Sequence, residues 1–128
     1  MHAPRPVRAL RGAICVAADE PGAIAEATHA LLAELCERNA LAPDDVVSVL
    51  FATTADLASE WPARALRGVP GWEHVPLLCT AAMPVPHDLP RCLRVLVHVE
   101  TALPREALVH VYLRGAEALR TDLVPPRG

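Results

Sequence analysis

All twelve basic residues of this 128-residue chain are arginine, and it has no lysine. Codon bias in a GC-rich genome would suffice to produce that, so position matters more than count. Arg94 falls inside the most regular apolar/polar alternation in the chain. A guanidinium there is costly unless an anion meets it, because desolvated charge must be paired. A sheet edge open to water, or a pair with an acid such as Glu100, would also accommodate it. Arg11 precedes Gly12 in Arg-Gly-Ala, where the missing side chain permits close backbone approach; an ordinary surface arginine would fit as well. In Trp61-Pro62-Ala63-Arg64-Ala65-Leu66-Arg67, Arg64 and Arg67 stand three apart on one helix face. Two forked cations at a helix start can hold a carboxylate, though a solvated face has the same pattern, and a tryptophan such as Trp61 is more often core than ligand wall. Tyr112 is the only tyrosine, and its hydroxyl needs a partner if buried. Arg120 follows Leu119 near the C-terminus.

Other chemistries lack their residues. The phosphate-cradling, dinucleotide and nucleophile-elbow glycine motifs are absent. Cys15, Cys36, Cys79 and Cys92 form no C-x-x-C pair, so reduced thiols are expected rather than zinc or disulfides. Cys79 has no base beside it in sequence. With a net charge of -3 and 3 % aromatic residues, neither a nucleic-acid field nor a base-stacking surface is expected.

The elements that must position these residues follow from periodicity. Residues 7–16 read as a first strand. Asp19 can cap the next helix, Pro21 suits its first turn and Asn39 its end. Ile24, Thr28, Leu31, Leu32, Leu35 and Cys36 fall on one face at helical spacing, while Glu26, Glu34, Glu37 and Arg38 face solvent. Pro43-Asp44-Asp45 is a turn, and 46–52 a second strand. A short helix runs from Pro62 to Arg67 and ends at Gly68. Strands are expected at 75–79, 93–100 and 107–113, with a helical turn near 116–120. In the fourth strand Leu93, Val95, Val97 and Val99 share one face, and Arg94, Leu96, His98 and Glu100 the other. The fold class is α+β: a mixed sheet with one long helix. One helix is little cover for five strands, so the other face is expected to meet a partner subunit.

Length and a 52 % hydrophobic content fit one globular domain over 1–128. Thirteen prolines cluster at segment boundaries and in the tails, 1–6 and 124–128, which are expected to be mobile. No apolar run is long enough for a membrane span, and the Arg-rich start has no apolar stretch after it that would make a signal peptide. A cytoplasmic protein is expected.

Several stretches together resemble the AroH-class chorismate mutases over residues 7–123. They are Val7 to Ala13, Ala52-Thr53-Thr54-Ala55-Asp56-Leu57, Trp61 to Arg67, Gly71-Trp72, Val75 to Cys79, Cys92-Leu93-Arg94-Val95, His110-Val111-Tyr112-Leu113 and Ala118-Leu119-Arg120. The resemblance implies a homotrimeric pseudo-α/β barrel with a cleft between neighbouring subunits. It implies a Claisen rearrangement of chorismate, a small dicarboxylate, to prephenate, with no cofactor and no metal. Such a reaction needs a compact conformer and stabilisation of charge on the breaking ether oxygen, which a permanently protonated guanidinium suits. By the same resemblance Arg94 contacts that oxygen and a carboxylate, and Arg11 holds the other end of the ligand beside Tyr112. Arg67, Leu119 and Arg120 attract or cover the dianion. Trp61, Ala63 and Arg64 form one wall, and Leu77, Leu78 and Cys79 the other.

One position departs from the family pattern. Family members usually carry a Gln-Glu pair whose glutamate lies three residues after the Cys79 position, binds the ring hydroxyl and balances the arginines. Here that place is Ala82, and a methyl group accepts no hydrogen bond. Losing such a contact would cost roughly 2–4 kcal/mol of transition-state stabilisation. The nearest downstream acid, Asp88, lies six residues on in a Pro-rich loop and is expected to be a poor substitute without rearrangement. Three functions remain compatible: a slowed or rescued mutase, an enzyme of this fold acting on a related cyclohexadiene dicarboxylate in specialised metabolism, and a non-catalytic binder or regulator.

Overall fold

The computed structural model describes residues 5–120. Five strands and one long helix occur in the order β1 (Val7–Cys15), α1 (Pro21–Arg38), β2 (Val46–Thr53), β3 (Leu77–Ala81), β4 (Cys92–Glu100) and β5 (Val111–Leu113). Short 3-10 turns at Pro43–Asp45, Pro62–Leu66, Arg105–Ala107 and Ala116–Leu119 join them. The strands form one sheet in the order β3-β2-β4-β1-β5. The β4 strand pairs antiparallel with β1 and β2, whereas β3 on β2 and β5 on β1 are parallel, giving the expected mixed sheet.

Alternation on β4 divides the sheet as its sequence implies. Leu93, Val95, Val97 and Val99 are buried and share the covered face with Leu10, Ile14, Val49, Phe51 and Val111. Helix α1 closes that face with Ile24, Ala27, Leu31, Leu32 and Leu35. Thr28 is buried among them because its hydroxyl donates to the Ile24 carbonyl at 2.7 Å. Gly12 lets β1 and α1 approach: a Cβ there would lie 3.0 Å from Leu35 Cδ1 and Val95 Cγ2 and 3.2 Å from Leu31 Cδ1. No helix among the described residues is long and apolar enough to cross a membrane.

Some local expectations shift. Asp19 does not cap α1. Glu20 holds the cap position without a side-chain bond, while Asp19 Oδ1 accepts the Ala58 and Ser59 N–H groups at 3.0 and 2.9 Å. It therefore fixes the loop leading to Trp61. Asn39 does end the helix. The third strand starts at Leu77, two residues later than expected, because Pro76 has no N–H to give a ladder and its carbonyl only accepts from Val49. The last strand is Val111–Leu113 rather than 107–113. Residues 105–107 turn instead, and β1 offers β5 only the register Gly12–Ile14. The short helix at Pro62 is a 3-10 turn through Leu66, with Gly68 left-handed at φ 76° beyond it.

The tail residues 1–4 and 124–128 lie outside the described residues. Arg5 and Pro6 are held: Arg5 pairs with Asp45 at 2.8 Å, and the Pro6 carbonyl accepts from Thr101 at 3.0 Å.

Candidate active site

The face of the sheet away from α1 carries the polar residues. Register places Tyr112, Ala13, Arg94, Ala52 and Thr80 in one row across all five strands. In the next row Arg11 stands opposite Leu96, followed by Leu50 and Leu78. The structure thus brings Arg11, Arg94 and Tyr112 onto one face, on three adjacent strands. Tyr112 is buried against Ala13, Cys92 and Ala116, with Leu119 packed on the same cluster.

Arg94 does not pair with Glu100, whose place is six residues along the same strand. It forms an ion pair with Asp88, the acid that sequence alone disfavoured. The Arg94 side chain is 38 % exposed and that of Asp88 11 %. Arg94 Nε is buried with no hydrogen-bond partner among the described residues. Asp88 Oδ1 also accepts the Leu89 N–H at 2.9 Å. Two other neighbours were not anticipated. The Cys92 thiol lies beside the Arg94 guanidinium, which lowers its pKa, although burial, the larger effect, raises it. The Arg11 N–H donates to His110 Nδ1 at 3.0 Å. The His110 pKa is lowered, first by burial and then by the nearby charges of Arg11 and Arg120. His110 is therefore held neutral among cations, and Arg120 belongs to the same positive end of the face.

Arg11 also lines a hollow of about 470 Å³ with Arg8, His98, Arg105 and His110.

A second group lies at the opposite sheet edge. Trp61, Ala63, Arg64, Arg67, Leu77, Leu78 and Cys79 line a cleft of about 790 Å³ between β3 and the Pro62–Leu66 turn. That turn is pinned to α1 by His29, whose Nε2–H donates to the Ala65 carbonyl at 2.5 Å. Arg64 Nε lies 3.5 Å from Glu60, an exposed pair of little energetic weight. Trp61 is no core residue: it is 65 % exposed, and the buried tryptophan is Trp72. Ala82 follows β3 and is half-buried, its N–H donating to Thr53 O at 2.9 Å.

Within one chain these two groups do not meet. Two strand spacings separate β3 from the β4 strand of Arg94 and three separate it from the β1 strand of Arg11, about 10 and 14 Å at ~4.8 Å each, and neither hollow contains residues of both groups. Nothing periodic pointed to Asp88. The one signal in the sequence was that it is the only acid between Glu73 and Glu100, hence the only one on the β3–β4 connection.

The family model for type I chorismate mutases matches residues 7–123. The chorismate mutase AroH of Thermus thermophilus is 45 % identical over 118 residues, covering 91 % of this chain and 96 % of that protein. The Bacillus subtilis AroH is 39 % identical over 117 residues, covering 91 % and 92 %. A solved chorismate mutase from Clostridium thermocellum superposes with a TM-score of 0.83 at 39 % identity, over 87 % of this chain and 98 % of that one. The chain belongs to the type I, AroH-class chorismate mutase family.

Proposed function

We propose that the chain is a cytoplasmic chorismate mutase that works as a homotrimer, with each cleft built from two neighbouring copies. The observation that carries this reading is the separation of the two residue groups. Arg11, Arg94 and Tyr112 occupy an open sheet face, while Arg64, Arg67 and Trp61 line a cleft at the far edge. The open face also presents Val7 and Leu78, both more than half exposed, and such a surface is normally covered by a partner. A neighbouring copy that laid its β3 edge against this face would complete one dianion site with arginines from both chains.

The chemistry suits that site. In the rearrangement the ether C–O bond breaks as a C–C bond forms within the same molecule, and no proton or external electron is exchanged. Only conformational restraint and charge stabilisation are required. Arg94 supplies both: its side chain is 38 % exposed, and the guanidinium carries several fixed N–H donors for the ether oxygen and a carboxylate. Arg11, with Tyr112 beside it, holds the other end of the ligand. Arg67, Leu119 and Arg120 attract and cover the dianion. Ala63, Arg64, Leu77, Leu78, Cys79 and Ala82 line the walls with Trp61.

The test follows chorismate by ultraviolet absorbance, identifies the product by mass, and measures the oligomer by sedimentation. Turnover to prephenate by a trimer is expected, and Arg94→Ala should abolish both turnover and calorimetric binding. A monomer, or an Arg94→Ala protein that still turns over, would sink the reading.

A further inference from the structure

Arg94 has alanines beside it on both neighbouring strands, Ala13 on β1 and Ala52 on β2, so no cross-strand side chain balances its charge. At the end of β3, Ala82 offers only a methyl group. The counter-charge comes from Asp88 on the β3–β4 connection. That connection is tied at both ends. Ala82 bonds to Thr53, and Arg91 bonds three times: its N–H to Asp56 Oδ2 at 2.9 Å, its Nε to the Val16 carbonyl at 2.9 Å, and its carbonyl from the Val16 N–H at 2.7 Å. Arg91 adopts a left-handed φ of 45°, a conformation held only when surroundings over-determine it. Asp88 is further set by a turn to Val85 and by the Leu89 N–H on its own Oδ1. Its carboxylate is thus nearly buried and held from both sides, and it engages Nη2 of the guanidinium.

We infer that Asp88 is a positioning residue of the site, its carboxylate fixing and balancing Arg94 in place of an acid at position 82. The inference rests on the function proposed above. Asp88 bonds to Nη2 and leaves the Arg94 side chain 38 % exposed, so it orients the guanidinium without covering it. The substrate then meets an arginine whose rotamer is already set, and the effect belongs in kcat rather than in KM.

Steady-state kinetics on chorismate test this with the full chain and its Asp88→Asn, Asp88→Ala, Ala82→Glu and Asp88→Ala/Ala82→Glu variants. Asp88→Ala is expected to lower kcat at least tenfold with a less than threefold change in KM, and Asp88→Asn to fall between it and the parent. Adding Ala82→Glu should raise kcat at least fivefold in the Asp88→Ala background and less in the parent, since a carboxylate is already present there. Asp88→Asn keeps the side chain's shape and serves if Asp88→Ala melts early. Unchanged or raised kcat in both Asp88 variants, or equal gains from Ala82→Glu in both backgrounds, would overturn the inference. Lack of turnover by the parent would instead remove the mutase reading. The Arg94 side chain would then be followed directly in a crystal structure of Asp88→Asn, where a guanidinium that keeps its place and order without the carboxylate refutes the positioning role.

Discussion

Asn39 joins the helix to the strand that carries Tyr112, and removing its amide should loosen both. The residue is 2 % exposed. Its Nδ2 donates to Leu35 O at 2.8 Å and to Val109 O at 2.9 Å, and its Oδ1 accepts the Val109 N–H at 2.7 Å. One side chain thus satisfies both backbone groups of Val109, at the point where β5 has no strand to pair with. A buried neutral hydrogen bond contributes about 1 kcal/mol net, so losing three costs about 3 kcal/mol, before counting stranded partners. Against a total stability of about 5–15 kcal/mol this is a large share. Asn39→Ala should therefore lower the melting temperature by roughly 10 °C, followed by circular dichroism at fixed protomer concentration. Amide exchange at Val111–Leu113 should quicken first, because only three register pairs hold β5 to β1. Asn39→Asp keeps the acceptor for Val109 N–H but turns a carboxylate oxygen on two carbonyls, so it should melt no higher than Asn39→Ala. A melting point for Asn39→Ala within about 2 °C of the parent would refute the clamp.

Two further outcomes follow from the packing and the charges. Gly12→Ala places a methyl group 3.0 Å from Leu35 Cδ1 and Val95 Cγ2, an overpacking that should cost about 1–3 kcal/mol in urea unfolding; a neutral result would mean α1 can slide away freely. Acid should weaken the fold through Asp56 and Asp45. The Thr54 hydroxyl and then the Arg91 N–H lower the Asp56 pKa, and the Ala42 N–H and then Arg5 lower that of Asp45. Groups with depressed folded pKa values stabilise above the ordinary carboxylate range, about pH 4, and lose that contribution as pH falls through their folded values. The urea midpoint should accordingly drop between neutral pH and pH 3, less steeply in Asp56→Asn; parallel profiles would contradict the assignment.

Sequence alone determined what period and composition encode. The alternation in β4 assigned Leu93 through Val99 to a core and Arg94 to the other face, because a strand has no third side. Helical spacing from Ile24 to Leu35 located α1, and Gly12 marked a point of close backbone approach, though not that α1 is what approaches. The order of elements and the family resemblance were legible for the same reason: both are properties of the chain read in one dimension. Tertiary structure decided what depends on distances across the chain. Asp19 serves the loop before Trp61 rather than the helix beside it, since N–H groups forty residues away compete for its carboxylate. Strand order set Arg11, Arg94 and Tyr112 in adjacent rows and carried Arg64 and Arg67 to the opposite edge. Only the folded connection, pinned at Ala82 and Arg91, could show that Asp88 meets Arg94. An irregular loop has no repeat from which direction can be read, so where its one carboxylate points is fixed by the bonds at its ends.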